Sequence, residues 1–514
     1  MTFYYICLIL NIVYLCSFIY LLTQNLYQKQ RIFPAFIFCL LLTLIFKCDF
    51  GVNFLGLEYE DSYCFSAFAR QIEHGIFPSS FRVDCVSIGS LEYPYEMGTY
   101  GGHFILFPTY LSIFSQLFGF SIQLISIVNS FTSFLILFTL SNLPSFNKNW
   151  MLYPLLFCLA PIINIYNTAF LAETYSSLLC LSFLWAYIYY DKKNVFVRFF
   201  CVLAFFMSIL CKRENFVLLI VPIIYNLDSL KIASLKKTLK NSLPYILSCT
   251  IFILVFHNIF LTEFEEAKDI NNPTFAWEYF KSLAPVFLYS LLSINYFSIC
   301  FYILIILIIA TLIHNKKLNR IQVICITLYV SYFLMYTFHY RGYYFVTGKE
   351  SVSDFETFRY LNNFFYLIPV IFASSNFDIK NKYFINICLT LLVIFSIIKT
   401  YCLRNNLSDI EFQNRISEYL EIEHYITTQN NYPNTILITN TELLSLNYGP
   451  SNFNICSIHG LQNLNLNIKN MDYYIFANDW DIIKKRYNVD LEKYHTTEIK
   501  ILKSGKKLLK IEHK

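Results

Sequence analysis

The sequence predicts a mainly α, polytopic membrane protein of about 12 spans, followed by a small C-terminal α/β domain. Three observations carry this. Hydrophobic residues make up 56% of the 514 and charged residues only 14%, where a soluble domain has about 25% charged. Apolar runs of about 17–25 residues, each long enough to cross a bilayer core, recur along most of the chain. After Arg404 the character changes to polar, Asn-rich and soluble-like. The boundaries read as 1–403 for the membrane part and 404–514 for the tail.

The first run, "FYYICLILNIVYLCSFIYLL", is too long for a signal-peptide core. It lacks a basic flank before it and a small-residue cleavage site after it, and reads as a retained helix. Further spans are expected at 32–48, 121–141, 151–167, 172–190, 196–211, 215–227, 242–262, 284–313, 321–339, 359–376 and 382–401. Residues 104–118 fit either a half-helix at the membrane edge or part of a bent span. Most of the 16 cysteines, such as Cys7, Cys39, Cys158 and Cys201, lie inside apolar runs as small packers. Cys64 and Cys85 share one polar loop and can pair if it faces an oxidising space.

Lys and Arg in short loops set the orientation. One alternating set holds Lys29, Arg31, Lys148, Lys192, Lys193, Arg198, Lys231, Lys236, Lys237, Lys240, Lys316, Lys317, Arg320, Lys380 and Lys382. This set is expected to be cytoplasmic. The opposite set is 49–103, the Lys212 region, 263–283 and 340–358, poorer in basic charge and expected to be extracytoplasmic. An even number of spans places the tail with it. In the tail, "TILIT" (435–439), "YYIFA" (473–477) and "TEIKILK" (497–503) read as strands. Ile416, Leu420 and Ile422 lie close to helical spacing, and "DWDIIKKRYN" (479–488) reads as a short helix. The net charge of +5 reflects basic loops beside the membrane rather than a nucleic-acid surface.

The loop after the second span is acidic: "LEYEDSYCFSAFARQIEHG" (57–75). Phe65, Phe68, Ala69 and Ile72 fall at i, i+3, i+4 and i+7. This describes an amphipathic helix along the membrane surface with Glu60 and Asp61 at its start. Carboxylates there are also favoured simply by capping and the helix dipole. Farther along, "YGGHFILFPTYLSIFSQLFGF" (100–120) joins a Gly-Gly-His turn to an aromatic apolar run and a Phe-Gly break. "FMSILCKRENFVLLIVPIIY" (206–225) interrupts an apolar stretch with Lys212, Arg213 and Glu214. "HYRGYYFVTGKESVSDFETFRYLNNFFYLIPVIF" (339–372) ends a polar loop in Arg359-Tyr360 before a span with Pro369. A hairpin tip that snorkels to the headgroups, and an interfacial Arg and Tyr belt, also accommodate the last two.

Taken together these segments resemble the GT-C integral-membrane glycosyltransferases, in the branch of protein O-mannosyltransferases and bacterial aminoarabinose transferases. The likeness covers roughly residues 32–400 in layout. The family's first outer loop carries Asp-Glu-x-x-Tyr; here the order is Glu60-Asp61-x-Tyr63. Gly102-His103-Phe104 stands where the family has His-Pro-Pro. Lys212-Arg213-Glu214-Asn215 resembles its Arg-Pro-Glu break, and Arg359-Tyr360 its entry to a late span.

The resemblance implies transfer of a sugar from a polyprenyl-phosphate donor to a lipid, glycan or protein acceptor on the outer face of a bacterial inner membrane. Asp61 or Glu60 is then the base. Arg359, Arg341, Lys212 and Arg213 would serve the phosphate, with His103, Tyr63 and Tyr360 in the binding site. The chemistry is consistent: phosphate needs a cation, and an acceptor hydroxyl needs a carboxylate within hydrogen-bond reach.

The sequence points to no definite cofactor. Paired acids can hold a divalent metal, but no zinc spacing, P-loop or G-x-G-x-x-G occurs. Two other classes remain open: an O-antigen polymerase or ligase, and a transporter or flippase of lipid-linked glycan. The latter calls for charge near mid-bilayer on broken helices, for which His257 is the nearest candidate.

Overall fold

The structure is a computed structural model. It describes residues 2–24, 29–47, 106–119, 122–143, 150–158, 172–227, 232–257, 275–293, 299–315, 317–338 and 365–374, scattered residues between 390 and 429, and 435–439, 454–457, 472–476 and 494–513. The chain is mainly helical with one small sheet, as the composition predicts.

The helices are α1 (Thr2–Gln24), α2 (Lys29–Lys47), α3 (Leu106–Phe118), α4 (Ile122–Ser141), α5 (Leu152–Cys158), α6 (Ala172–Tyr189), α7 (Val195–Cys211), α8 (Ile220–Asn226), α9 (Ile232–Ile251), α10 (Trp277–Leu292), α11 (Ile299–Asn315), α12 (Arg320–Phe338) and α13 (Leu367–Ser374). A 3-10 turn, Arg213–Leu219, precedes α8, and a π turn, Phe252–His257, extends α9. Tyr4–Thr23, Ile232–Val255 and Arg320–Phe338 are long and apolar enough to cross a membrane.

Helix α6 is the hub. Every residue from Ala172 to Ile188 is buried, the signature of a helix surrounded by other helices. Its Ser176, Ser177 and Ser182, and the Asn129, Thr132, Ser133 and Thr139 of α4, are buried too. Small hydroxyl residues let backbones approach closely where lipid supplies no hydrophobic drive for association. Thr132 and Thr139 return their hydroxyls to the carbonyls of Val128 and Leu135, so neither of these two donors is stranded. Aromatic stacking fills the rest: Tyr14 and Phe18 lie on Phe200, and Phe18 meets Trp185 edge-on.

Contacts at the helix termini show that the bundle has two distinct ends. At one end Cys211 Sγ lies 3.8 Å from the Ala172 carbonyl, Tyr336 reaches Glu214, and Ala276 N–H donates to Phe338. At the other, Tyr190 donates to the Leu21 carbonyl, Arg320 to that of Tyr225, and Asn319 to that of Ser374. The described basic loop residues of the predicted cytoplasmic set, Lys192, Lys193, Lys317 and Arg320, belong to the second end, the basic end.

Two spans differ from the sequence reading, and one ambiguous segment takes one of its two expected forms. The run 284–313 is interrupted at Ser293, forming α10 and α11. Ala276 sits at the Phe338 end of α12, whereas Phe301 stacks on Tyr329 halfway along it. The two helices in succession therefore pass α12 once, as a broken span. Helix α9 begins ten residues before the expected 242. Lys236, Lys237 and Lys240 are exposed on its first turns, where a Lys costs little helix propensity and faces water. Helix α3 has 13 residues, about 20 Å, short of the ~30 Å core. It starts beside Asn11 and ends beside Tyr4 of α1, as a half-helix would.

In the tail the sheet runs β2-β1-β3-β5-β4, with β1 (Thr435–Thr439), β2 (Asn454–Ser457), β3 (Asp472–Phe476), β4 (Tyr494–Ile501) and β5 (Lys507–His513). β1 pairs parallel with both β2 and β3, and β5 pairs antiparallel with β3 and β4. The hairpin turn uses Gly505 at φ +84°, a conformation costly for other residues. Ile422 and Ile426, one turn apart on a helical segment, pack on Leu437, Tyr474, Phe476 and Leu508. Three strands lie at or near their expected places; β2 and β5 were not expected. The 479–488 segment lies outside the described residues.

Candidate functional site

Apolar α7 ends where the sequence turns to Cys-Lys-Arg-Glu-Asn. Lys212 is extended, at φ −145° and ψ 122°, and the chain re-enters the bundle through the 3-10 turn. The elbow needs partners for the carbonyls that α7 leaves open. Ser208 O accepts from Lys212 N–H at 2.9 Å and from Asn215 Nδ2 at 2.8 Å. Asn215 Nδ2 also donates to Ser176 Oγ at 2.9 Å, and its Oδ1 accepts from Tyr332 OH at 2.8 Å. One buried amide thus ties α6, α7 and α12 together.

Charge surrounds this knot. Lys212 Nζ donates to Glu173 Oε1 at 2.9 Å, with side-chain exposures of 16% and 4%. A carboxylate this deep is tenable only when paired. Tyr336 OH donates to Glu214 Oε1 at 3.0 Å. Glu214 lies in the break between spans. Burial pushes its carboxyl up, but Lys212, its own backbone N–H, the Tyr336 hydroxyl and Arg213 outweigh that and hold it below the ordinary value. It is therefore an anion at neutral pH.

Beside the elbow runs a polar column. Tyr175 OH donates to Asn11 Oδ1, and Asn11 Nδ2 donates to the Leu106 carbonyl at 3.1 Å. Tyr175 stacks on Tyr110 with centroids 4.0 Å apart, and Tyr110 OH lies 3.0 Å from Thr132 Oγ1. Asn11 thereby anchors the first span to the start of α3, three residues after His103 in the chain.

Of the residues singled out from sequence, the structure describes Lys212 and Arg213 and places both on the elbow, where Arg213 acts on Glu214. Glu60, Asp61, Tyr63, His103, Arg341, Arg359 and Tyr360 lie outside the described residues, as do Cys64 and Cys85. His257 falls in the π turn. Helix α13 contains Pro369 and ends at the basic end, where Ser374 O meets Asn319. Sequence reasoning overlooked Glu173. The signal was present: one carboxylate in the apolar run "AFLAETYSSLLCLSFLW", an arrangement that demands a partner. Tyr332 and Tyr336 gave no signal, since tyrosine is common throughout this chain. Among the described residues no group of three His, Cys, Asp or Glu is placed to hold a metal ion.

The arrangement of two-helix elbow, broken span, half-helix and terminal sheet belongs to a fold found in solved membrane proteins. Solved structures of ArnT from Cupriavidus metallidurans are similar to it. The form bound to undecaprenyl phosphate gives a TM-score of 0.52 at 10% identity, covering 93% of this chain and 97% of that one. The apo form gives 0.50 at 11% identity, covering 88% and 93%. No family model and no curated protein matches the sequence.

Proposed function

We propose that the protein is a membrane glycosyltransferase that moves a sugar from a polyprenyl-phosphate donor to an acceptor hydroxyl or amine. The observation that carries this is the fold likeness, nearly end to end, to a protein crystallised with undecaprenyl phosphate. The elbow end is read as extracytoplasmic, since the basic end holds the Lys and Arg of the short loops. The sheet-bearing tail, 404–514, is read as a separate α/β domain on the elbow side.

In this reading Asp61 or Glu60 takes the acceptor proton as the acceptor atom attacks the anomeric carbon. The carbon–oxygen bond to the lipid phosphate breaks, and polyprenyl phosphate leaves with the electron pair. One displacement inverts the centre. Arg359, Arg341, Lys212 and Arg213 bear on the phosphate, while His103, Tyr63 and Tyr360 line the sugar site. Lys212 is already paired with Glu173, so its charge is partly spent. The Arg213 guanidinium, with its planar fork, suits phosphate better.

A flippase reading calls for charge near mid-bilayer. The described ion pair of the helical part lies instead at the elbow end. An O-antigen polymerase would share the lipid-linked donor and differ in acceptor.

The test is to incubate purified protein with polyprenyl-phosphate sugars and candidate acceptors, and to identify products by mass. Glycosylated acceptor with release of polyprenyl phosphate is expected. Movement of intact lipid-linked glycan across vesicles without any transfer product would overturn the reading.

A further inference from the structure

The basic end carries a second cluster that the transfer reaction does not use. Lys192, in the turn between α6 and α7, holds its ammonium 3.3 Å from the ring centroid of Tyr225 and 4.0 Å from that of Tyr187. Arg320 donates to the carbonyl of the same Tyr225 at 2.9 Å, so two cations converge on one residue. Asn226 donates to Tyr187 OH at 2.7 Å and accepts from Asn241 at 3.0 Å. Tyr245 of α9 meets Tyr187 edge-on, with centroids 5.7 Å apart.

Thr238, Ser242 and Tyr245 lie at i, i+4 and i+7 and share one face of α9. Ser242 and Thr238 therefore share the face of α9 that meets Tyr187, whose ring carries the Lys192 ammonium. Their hydroxyls are buried, at 1% and 6% residue exposure, and neither has a hydrogen-bond partner. Leaving a hydroxyl buried and unpaired is costly, and two on one stripe of the face that meets Tyr187 mark a place where an acceptor is missing. No carboxylate serves Lys192 among the described residues, and burial pushes its ammonium down to about 8. A group with several acceptor oxygens and negative charge would satisfy both hydroxyls and the ammonium together. At a membrane-facing helix end, an anionic phospholipid headgroup supplies such a group from the adjoining leaflet.

We propose that Lys192, Ser242 and Thr238, with Arg320 at the rim, form a binding site for the phosphate of an anionic lipid headgroup at the basic end of the bundle. The site is independent of the transfer chemistry at the elbow. It requires a phosphodiester presented at headgroup depth, with its acyl chains along exposed Leu239 and Leu243 of α9.

The experiment uses full-length protein in detergent. Thermal unfolding is followed on titration with phosphatidylglycerol, phosphatidylcholine or inorganic phosphate, because a ligand that binds the folded state raises Tm. Native mass spectrometry counts the retained lipids. Phosphatidylglycerol is expected to raise Tm and leave one lipid bound, with little effect from the other two. Ser242→Val removes the hydroxyl without leaving a cavity, and Lys192→Met removes the charge while keeping the stem. Each should weaken phosphatidylglycerol binding about tenfold or more, whereas Lys193→Met, one residue away and exposed, should not. Equal binding in all three variants would overturn the proposal, as would equal stabilisation by phosphatidylcholine. Full stabilisation by inorganic phosphate alone would show a free-phosphate site and remove the lipid. Native mass spectrometry keeps the test decisive for a variant with low Tm.

Discussion

The two ends of the helical bundle handle positive charge in opposite ways. At the elbow, Lys212 is met by a buried carboxylate, Glu173, and Glu214 sits between Lys212 and Arg213. At the basic end, Lys192 rests on tyrosine rings and Arg320 on a carbonyl. The elbow is balanced within the protein and held rigid by Asn215. A cation that must remain fixed through a reaction benefits from an internal anion, because an unpaired buried charge costs several kcal/mol. A cation that serves orientation or lipid contact needs only shallow, polarisable partners.

The comparison breaks first if the ends are on the wrong sides. On a cysteine-depleted background, cysteine at Ser79 or Ser504 should react with an impermeant reagent from outside, and cysteine at Lys193 should not. Labelling at Ser79 with protection at Ser504 would remove the even span count.

The next largest effect concerns chemistry. Asp61→Asn or Glu60→Gln should lower transfer by about 10²–10⁴-fold with folded yield kept, because Asn caps a helix about as well as Asp. Full activity in both would reduce these acids to caps.

Breaking the elbow pair should cost stability. Glu173→Gln removes the carboxylate to which Lys212 donates, and loss of one partner of a buried pair costs about 3–5 kcal/mol. Glu173→Leu with Lys212→Met should recover most of that stability in a denaturant or thermal series. A double variant no better than the single would mean that the pair is not a unit.

Donor use should then fall about 10–100-fold when Arg359, Arg341 or Lys212 becomes alanine, since one charge-assisted contact is worth about 1.5–3 kcal/mol. Unchanged donor kinetics in all three would remove the phosphate role.

The smallest effect is expected in acid. The Glu214 carboxyl is held below its ordinary value. Its folded pKa is depressed, so its stabilisation is present above the unfolded value and fades as pH falls through the folded one. Glu214→Gln should flatten the acid limb of stability and leave the neutral region little changed. An unaltered acid limb would show that the carboxylate contributes nothing to it.

Much of the helical part was legible. Helices α4, α6 and α7 lie within a residue or so of their expected starts, because a span is specified by an unbroken run of apolar side chains. The same rule misplaced α9. Lys236, Lys237 and Lys240 interrupt the apolar run but not the helix, and hydropathy reports solvent preference rather than backbone conformation. The rule also passed over Ser293, where α10 stops within an apolar stretch. In the tail, β1 and β3 were readable as short β-branched and aromatic runs. β5, "KLLKIEH", alternates too weakly to stand out until β3 and β4 flank it.

Composition and run length alone determined that this chain lives in a bilayer, and the Lys and Arg spacing determined which helix ends share a side. Both are sums over local solvation, and each residue contributes without knowing its neighbours. Only the tertiary structure decided that Glu173 answers Lys212 across 39 positions in sequence, that Asn215 joins α6, α7 and α12, and that the buried hydroxyls of Ser242 and Thr238 are left without partners. Pairing and its absence depend on distances of about 3 Å between groups far apart in the chain, and no property of the separate segments contains them.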